Sequence, residues 1–317
     1  MRPALVALVV VLLAGCGGGS HGSGSGGLER LDLMLDFFPN ADHAGIYAAQ
    51  SAGEFERRGL DVRIRTPSDP SAPLKLLAAG RADLAVSYEP EVLRARDKGL
   101  PVVAVGALVR TPLTAIVSLP RAGIHTPADL RGKTVGTAGI DYQTAYLRAI
   151  AGAQVKEVNV GFDLVPALVS GKVDAVLGAY WNYEAIQLRQ KGRTPNVIRI
   201  DQAGVPTYDE LVITASERDV RDHPDRIRKF LAALAAGTRT LESDPEAGIR
   251  PLLAANRTLD PRLQRASVKA TLPYFRPPSM VPAQWRAFTA FMHRNGLLKR
   301  SAPDGAFTNA LLPAARP

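Results

Sequence analysis

The chain contains one phrase twice, and this repeat constrains the fold more than any other feature of the sequence. The phrase reads AGRADLAVSYEPE at residues 79–91 and SGKVDAVLGAYWNYE at residues 170–184. Each copy has a glycine turn and an aspartate before a short apolar run, which is typical of a buried parallel strand. Aromatic and carboxylate residues follow each run. Because ligands of open α/β sheets bind at the carboxyl ends of the strands, the repeat predicts two similar lobes that face one cleft.

Strand-like and helix-like segments alternate along the chain, which predicts an α/β fold. At 317 residues the chain is long enough for two such lobes. An apolar strand at 31–36 is followed by a helix for which Asp42 is a suitable N-cap. The segment ELVITA at 210–215 predicts a strand that returns to the first lobe, so the chain crosses between the lobes twice. The predicted boundaries are 28–112 plus 212–317 for lobe 1 and 113–211 for lobe 2.

The first 27 residues predict export and anchoring. Residues 1–15 resemble a signal peptide, because their apolar run is too short for a permanent membrane helix. The tetrapeptide LAGC that ends at Cys16 resembles the lipobox of bacterial lipoproteins, and Cys16 is the only cysteine of the chain. Residues 16–27 are rich in glycine and serine, as in a flexible tether. We therefore expect that Cys16 is lipidated and that this lipid anchors the protein to the outer face of the cytoplasmic membrane. An ordinary secretory signal with an incidental cysteine is the alternative.

The charge of the chain does not favour a nucleic-acid partner. The formal net charge is +9, from 39 basic and 30 acidic residues. The basic residues are scattered among acids, as in the segment ERR at 56–58, instead of forming one patch. We attribute the excess to solubility and to proximity to anionic lipid.

Motifs of nucleotide, metal and hydrolase sites are absent from the sequence outside its glycine-rich tether. Beyond residues 16–27 it has no G-x-G-x-x-G and no G-x-S-x-G, and it has no H-E-x-x-H. The G-K-T at 132–134 lacks the first glycine of the phosphate-binding pattern G-x-x-x-x-G-K-[ST], because residue 127 is proline. The five histidines, at positions 21, 43, 125, 223 and 293, are not spaced as metal ligands. We therefore expect no cofactor, no metal and no catalytic residues.

Five segments of the sequence carry a resemblance to one group of proteins. They are DFFPNADHAGIY at 36–47, SYEPE at 87–91, VNVGFD at 158–163, YWNYE at 180–184 and GVPTY at 204–208. These segments closely resemble the thiamine-precursor binding group, which includes the formylaminopyrimidine-binding proteins of bacterial thiamine salvage and the fungal pyrimidine synthases. The resemblance covers about 31–307 and implies a two-lobe flytrap of the periplasmic-binding-protein type II. The implied partners are a small pyrimidine ligand and an ABC permease subunit, and we expect a monomer.

The fungal branch of this group is enzymatic, and the present sequence departs from it. The resemblance implies that a fungal synthase makes hydroxymethylpyrimidine phosphate from its own histidine, with iron and a cysteine-rich motif. His43 lies in the region of that histidine, but the corresponding loop GVPTY at 204–208 has no cysteine. We therefore expect a binding protein and not an enzyme.

The predicted ligand site consists of residues that suit a flat heteroaromatic ring with an exocyclic amine. Aromatic side chains would stack on the ring, for which we expect Tyr88, Tyr180 or Trp181. Carboxylates would accept hydrogen bonds from the amino group, with Glu184 as the first candidate and Glu91 as the second. The complete predicted set is Asp36, Phe38, Asn40, His43, Ser87, Tyr88, Glu91, Tyr180, Trp181, Asn182 and Glu184.

Two alternatives keep part of this interpretation. The same fold could bind riboflavin, a sulfonate or another small heterocycle, since related binding proteins differ mainly in the cleft. The remote alternative is a pyrimidine synthase, which would consume His43.

Overall fold

The computed structural model describes residues 27–151, 154–275, 278–302 and 304–313. The predicted signal peptide at 1–15, the predicted lipidation site Cys16 and all but the last residue of the predicted tether lie outside these residues. Among the helices of the described part, none is long and apolar enough to cross a membrane.

The described part of the chain contains ten strands in two five-stranded sheets. In chain order the strands are β1 (Glu29–Met34), β2 (Leu60–Arg65), β3 (Leu84–Ser87), β4 (Val102–Val109), β5 (Thr114–Ser118), β6 (Thr134–Thr137), β7 (Lys156–Asn159), β8 (Ala175–Tyr180), β9 (Asn196–Arg199) and β10 (Leu211–Ser216). The first sheet has the order β2-β1-β3-β10-β4, and the second has the order β7-β6-β8-β5-β9. The predicted two-lobe α/β architecture is thus confirmed.

One strand in each sheet runs against its neighbours. β10 is antiparallel to β3 and β4, and β5 is antiparallel to β8 and β9. The pairs that β1 and β6 form are parallel. The parallel pairing predicted for the repeated phrase therefore holds for β8 with β6 but not for β8 with β5. The reason is that β5 and β10 are the first strands after a crossing, so each enters its sheet at the edge where the other strands end.

Helices alternate with the strands and continue as a helical block after β10. They are α1 (Ala44–Ser51), α2 (Pro73–Ala78), α3 (Glu89–Asp97), α4 (Asp141–Ala151), α5 (Leu164–Val169), α6 (Glu184–Gln190), α7 (Glu217–Asp222), α8 (Pro224–Ser243), α9 (Glu246–Ala255), α10 (Pro261–Thr271) and α11 (Pro282–Arg294). The helix α1, which follows the first strand, packs closely against α8 and α9. A Cβ atom at Gly237 would lie 2.5 Å from the Ala49 Cβ, and one at Gly248 would lie 2.5 Å from the Ala44 carbonyl oxygen. Glycine at these two positions therefore allows α8 and α9 to pack closely against α1.

The repeated phrase has the same structural role in both sheets. Asp83 lies directly before β3, and its Oδ2 accepts a 2.7 Å hydrogen bond from the backbone N–H of Asp32 in β1. The Asp174 Oδ2 accepts a 2.8 Å hydrogen bond from the backbone N–H of Thr134 in the second sheet. Each aspartate therefore ties its strand to the parallel neighbour, β1 in one sheet and β6 in the other.

Alanine at Asp174 is expected to lower the free energy of unfolding by about 1–2 kcal/mol, because the Thr134 N–H loses its acceptor. Alanine at Asp83 should cost more, since Asp83 Oδ1 also lies 3.2 Å from Arg226 Nη2. Urea denaturation followed by circular dichroism measures both losses. The control is Asp61→Ala, which removes an exposed ion pair with Arg63 and should change stability by less than about 1 kcal/mol. A loss no greater than this control in both variants would contradict the structural role of the repeat.

Two segments connect the sheets, 110–113 between β4 and β5 and 200–210 between β9 and β10. The side chain of Glu210 holds them together. Its Oε2 accepts hydrogen bonds from the backbone N–H groups of Leu113 at 2.6 Å and Thr114 at 2.8 Å. The Thr114 hydroxyl donates to Oε1 at 2.8 Å, and the Tyr208 hydroxyl donates to Oε2 at 3.1 Å. Glu210 is fully buried, so the two crossings meet at one satisfied carboxylate.

The second predicted boundary is wrong by one residue. Leu211, which that boundary assigns to lobe 2, is the first residue of β10 and pairs with Val109 in the first sheet. The predicted division of the chain into the two lobes otherwise stays a prediction.

Candidate functional site

A cavity of about 400 Å³ lies between the two sheets. Its walls come from residues that follow β1, β3 and β6, from α5, and from residues in or just after β8. The described residues that line it are Asp36, Phe37, Asn40, Asp42, Tyr88, Ala138, Ile140, Tyr142, Gln143, Leu164, Gly178, Tyr180, Tyr183 and Glu184. The cavity therefore lies at the carboxyl ends of the parallel strands, where the repeat predicts the cleft.

The wall from the first sheet is organised around the carboxylate of Asp36. Asp36 Oδ2 accepts a 2.6 Å hydrogen bond from the Tyr88 hydroxyl, and Asp36 Oδ1 lies 2.8 Å from His43 Nε2. His43 Nδ1 accepts a 3.2 Å hydrogen bond from the backbone N–H of Asn40. Because Nδ1 is the acceptor, Nε2 carries the proton that His43 donates to Asp36. The His43 ring is fully buried, does not line the cavity and holds Asp36 in place.

The segment after β1 is capped by Asn40 and not by Asp42. Asn40 Oδ1 accepts a 2.9 Å hydrogen bond from the backbone N–H of Asp42, at the start of a 3₁₀ turn, Ala41–His43, that leads into α1. The predicted N-cap is therefore wrong, because the residue two positions earlier already supplies the acceptor. Asn40 Nδ2 donates to the Phe38 carbonyl at 3.1 Å, so both ends of the Asn40 amide serve the local fold. The side chain of Asp42, which is not needed as a cap, lines the cavity instead.

The wall from the second sheet presents Glu184 and Gln143. Glu184 begins α6, and its Oε2 accepts a 2.7 Å hydrogen bond from the backbone N–H of Tyr180. Gln143 Oε1 accepts a 2.8 Å hydrogen bond from the backbone N–H of Ala138. A Cβ atom at Gly178 would lie 2.2 Å from Gln143 Nε2, and Gly178 has φ of +99°. A glycine inside β8 is therefore required for Gln143 to reach the cavity.

Burial changes the acidity of the groups in the cavity. Burial raises the pKa of Glu184 to about 7, although the hydrogen bond from the Tyr180 backbone opposes this rise. Burial also raises the pKa of Asp42 to about 6, against the effects of nearby His43 and of the hydrogen bond from Asn182. These carboxyl groups therefore take up and release a proton near neutral pH, where either form can pair with a ligand.

The charged residues that line the cavity are all acidic. They are Asp36, Asp42 and Glu184, and no lysine or arginine is present among the described lining residues. Carboxylates only accept hydrogen bonds, so such a cavity suits a ligand rich in N–H donors and disfavours an anion. In the part of the chain that the structure describes, no three or more His, Cys, Asp or Glu side chains are grouped to hold a metal ion.

The structure brings part of the predicted ligand set to the cavity. The lining residues from that set are Asp36, Asn40, Tyr88, Tyr180 and Glu184. The members of the set that lie elsewhere are Phe38, His43, Ser87, Glu91, Trp181 and Asn182. Phe38 packs against Tyr183, with ring centroids 6.2 Å apart. Ser87 donates its hydroxyl hydrogen to Glu91, and neither residue lines the cavity.

Trp181 lies at a crossing between the lobes and not in the cavity wall. Its indole Nε1–H donates to the Pro112 carbonyl at 3.0 Å, and its backbone N–H donates to the Leu113 carbonyl at 3.1 Å. Its ring packs edge-on against Tyr274. Of the three residues expected to stack on a ring, Tyr88 and Tyr180 therefore line the cavity, whereas Trp181 does not.

Several lining residues were not predicted from the sequence. They are Phe37, Asp42, Ala138, Ile140, Tyr142, Gln143, Leu164, Gly178 and Tyr183. The internal repeat contains a signal for some of them. β6 stands beside β8 as β1 stands beside β3, so residues after β6 correspond to the Asp36 segment after β1.

The two sheets, the two crossings and the cavity between the sheets define the fold of periplasmic binding proteins of type II. A solved structure with this fold is the alkanesulfonate-binding protein SsuA from Xanthomonas axonopodis pv. citri bound to MOPS. Its TM-score is 0.69 and its sequence identity 18%, over 89% of this chain and 99% of that chain.

The sequence comparisons then identify the family. The family model described as NMT1/THI5 like matches residues 40–248, and this chain belongs to that family. A formylaminopyrimidine-binding protein of Halalkalibacterium halodurans is 37% identical over 252 residues, 78% of this chain and 76% of that relative. A 4-amino-5-hydroxymethyl-2-methylpyrimidine phosphate synthase of Schizosaccharomyces pombe is 25% identical over 286 residues, 85% of this chain and 82% of that relative. The family membership predicted from the sequence is confirmed, and the family contains both binding proteins and synthases.

Proposed function

We propose that the protein is the solute-binding component of an ABC importer and that its cargo is a thiamine pyrimidine precursor. The candidate cargoes are N-formyl-4-amino-5-aminomethyl-2-methylpyrimidine and hydroxymethylpyrimidine. The lobes close on the pyrimidine ring by a hinge motion, and the permease receives the ligand unchanged. The relative that is 37% identical is named as a formylaminopyrimidine-binding protein, which supports this cargo.

The observation that carries the proposal is the combination of aromatic walls with acidic acceptors in one cavity of about 400 Å³. Tyr88 and Tyr180 supply flat faces for a heteroaromatic ring. Glu184 supplies an acceptor for the exocyclic amine and, when protonated, a donor for a ring nitrogen. One carboxyl group can thus make both hydrogen bonds of an aminopyrimidine edge.

The same observation argues against the other cargoes. A sulfonate is an anion, and Asp36, Asp42 and Glu184 would repel it without a compensating lysine or arginine among the described lining residues. Riboflavin has a three-ring system with a long polar chain. Such a ligand would need a longer pocket than a single pyrimidine ring does.

The environment of His43 supports binding without chemistry. Both ring nitrogens of His43 are engaged, one with Asp36 and one with the Asn40 backbone, and the ring is fully buried. A histidine that is consumed as a reactant would have to leave these partners. We therefore propose a structural role for His43 and no enzymatic activity for the protein.

The location of the protein is part of the proposal. Lipidation of Cys16 and a tether at 16–27 would hold the domain at the outer face of the cytoplasmic membrane, close to the permease. We expect the domain to act as a monomer, since one chain supplies both walls of the cavity.

Isothermal titration of the mature chain tests the cargo. The ligands are the formylated aminopyrimidine, hydroxymethylpyrimidine, thiamine, riboflavin and the sulfonate MOPS. We expect at least one of the two pyrimidines to bind with a Kd of about 1 µM or lower, which corresponds to about −8 kcal/mol. MOPS and riboflavin should not bind. Binding of MOPS or of riboflavin alone would overturn the cargo, and binding of none of the five ligands would overturn the proposed function.

A further inference from the structure

Asp42 is buried, and its two carboxylate oxygens have different surroundings. Oδ1 accepts a 2.7 Å hydrogen bond from Asn182 Nδ2 and lies 3.2 Å from the Thr271 hydroxyl oxygen. Oδ2 is also buried, and among the described residues it has no hydrogen-bond partner. Leaving a buried carboxylate oxygen unpaired costs free energy. Because Asp42 lines the cavity, a ligand is the natural source of the missing donor.

The paired oxygen of Asp42 makes a contact between the two predicted lobes. Asp42 and Thr271 belong to the part of the chain assigned to lobe 1, whereas Asn182 follows β8 in the second sheet. Asn182 Nδ2 also lies 2.6 Å from Thr271 Oγ1, and Asn182 is fully buried. Asp42 therefore contacts the opposite lobe through Oδ1, and the same residue lines the cavity and leaves Oδ2 unpaired among the described residues.

The charges around Asp42 favour a cationic donor. Asp36 and Glu184 also line the cavity, and no lysine or arginine does so among the described residues. His43 is nearby, but its proton is donated to Asp36. A protonated amine would therefore form a hydrogen-bonded ion pair and offset the unfavourable grouping of buried carboxyls. A hydroxyl of the same size would supply a hydrogen bond without the charge.

We propose that Asp42 selects ligands that carry a protonated amine and couples their binding to closure through Asn182. This inference rests on the proposed function and sharpens it. The amine of the ligand donates to Asp42 Oδ2, and the aminopyrimidine edge remains for Glu184. Of the two unformylated pyrimidine precursors, 4-amino-5-aminomethyl-2-methylpyrimidine then binds more tightly than hydroxymethylpyrimidine, because its aminomethyl group is a cation at neutral pH.

The coupling follows from the position of Asn182. A cation at Oδ2 keeps Asp42 ionised, and an ionised carboxylate accepts a stronger hydrogen bond from Asn182 than a neutral one. That hydrogen bond exists only when the lobes are together. The ligand therefore gains contacts in the closed form that it lacks in the open form, which is the condition for a shift toward closure.

The test compares two ligands of nearly equal size, the aminomethyl and the hydroxymethyl pyrimidine, by isothermal titration of the mature chain. In the wild-type protein the aminomethyl compound should bind at least about tenfold more tightly, which is about 1.4 kcal/mol. In Asp42→Asn, which keeps the size of the side chain, this ratio should fall below about threefold. The control is Asp141→Asn, at a second contact between the lobes, where Asp141 Oδ2 lies 2.9 Å from Arg94 Nε and outside the cavity. This control should weaken both ligands equally and keep the ratio.

Asn182→Ala provides a second, independent readout. This variant keeps Asp42, so it should retain the preference for the amine but lose part of the decrease in radius of gyration that the ligand causes in small-angle X-ray scattering. A ratio near one in the wild-type protein, or an unchanged ratio in Asp42→Asn, would overturn the role of Asp42 while the binding function stands. A compaction in Asn182→Ala equal to that of the wild type would overturn the coupling. If neither of these two pyrimidines nor the formylated aminopyrimidine bound the wild-type protein, the proposed function itself would fail together with this inference.

Discussion

Replacement of Glu210 by alanine is expected to lower the free energy of unfolding by about 4 kcal/mol. The carboxylate of Glu210 accepts hydrogen bonds from the backbone N–H groups of Leu113 and Thr114 and from two hydroxyls. Alanine would leave both N–H groups buried without an acceptor, at about 1–3 kcal/mol each, and the hydroxyls would have to find new partners. The loss would also remove the side-chain link between the two crossings. Urea denaturation followed by circular dichroism measures it.

Tyr208→Phe is the matched control for this prediction. It removes one of the donors to Glu210 and keeps the carboxylate and both backbone hydrogen bonds. The expected loss is only about 1 kcal/mol, because the carboxylate retains its other partners. If Glu210→Ala cost no more than Tyr208→Phe, the two backbone contacts would contribute nothing measurable, and the crossings would have to be held by the packing around them instead.

The two-lobe fold could be predicted because the same phrase occurs twice in the sequence, once for each sheet. The aspartates of the two phrases, Asp83 and Asp174, make the same hydrogen bond to the neighbouring parallel strand. Such a contact needs an aspartate at a fixed distance before a buried strand, so it leaves a pattern that one sequence can reveal. The crossings were predicted from a similar signal, since a strand pattern resumes after each of them.

The direction of the inserted strands could not be predicted from periodicity. β5 and β10 are apolar like β8 and β3, the strands with which they pair, and are buried along nearly their whole length. A strand that is buried on both faces reads the same in either direction. The direction follows from the edge at which the chain enters, which is a property of the topology and not of the strand.

The cavity lining could be predicted only in part because side-chain direction after a strand depends on the turn. In YWNYE at 180–184, Tyr180, Tyr183 and Glu184 line the cavity, whereas Trp181 and Asn182 do not. Tyr183 has φ of −125° and ψ of −77°, a conformation that belongs neither to the strand nor to the helix. The alternation of the strand therefore stops within this segment, and its continuation cannot assign the faces. The position of Asp42 also depends on a local turn. Asn40 caps this turn, so the Asp42 side chain is not needed as a cap and lines the cavity.

Replacement of Glu184 by alanine is expected to weaken binding of the pyrimidine by at least about 100-fold, or about 2.7 kcal/mol. Glu184 is the buried carboxyl of the second-sheet wall, and burial raises its pKa to about 7. Its acid form can accept from the exocyclic amine and donate to a ring nitrogen at the same time. Alanine removes both hydrogen bonds and leaves the Tyr180 N–H without its acceptor. Isothermal titration with the tightest-binding pyrimidine measures the loss.

Glutamine at the same position separates the two roles of this carboxyl group. A glutamine amide has an acceptor and a donor, as the protonated acid has, and can still accept from the Tyr180 N–H. Glu184→Gln should therefore lose only about tenfold in affinity. The control is Glu91→Gln, at the equivalent glutamate of the first repeat, which accepts a hydrogen bond from the residue four positions earlier but does not line the cavity. Its affinity should stay within about threefold of the wild type. Only Glu184 lines the cavity, so its substitution should have the larger effect. A larger loss in Glu91→Gln than in Glu184→Gln would contradict this prediction and assign the acceptor role to Glu91 of the first lobe.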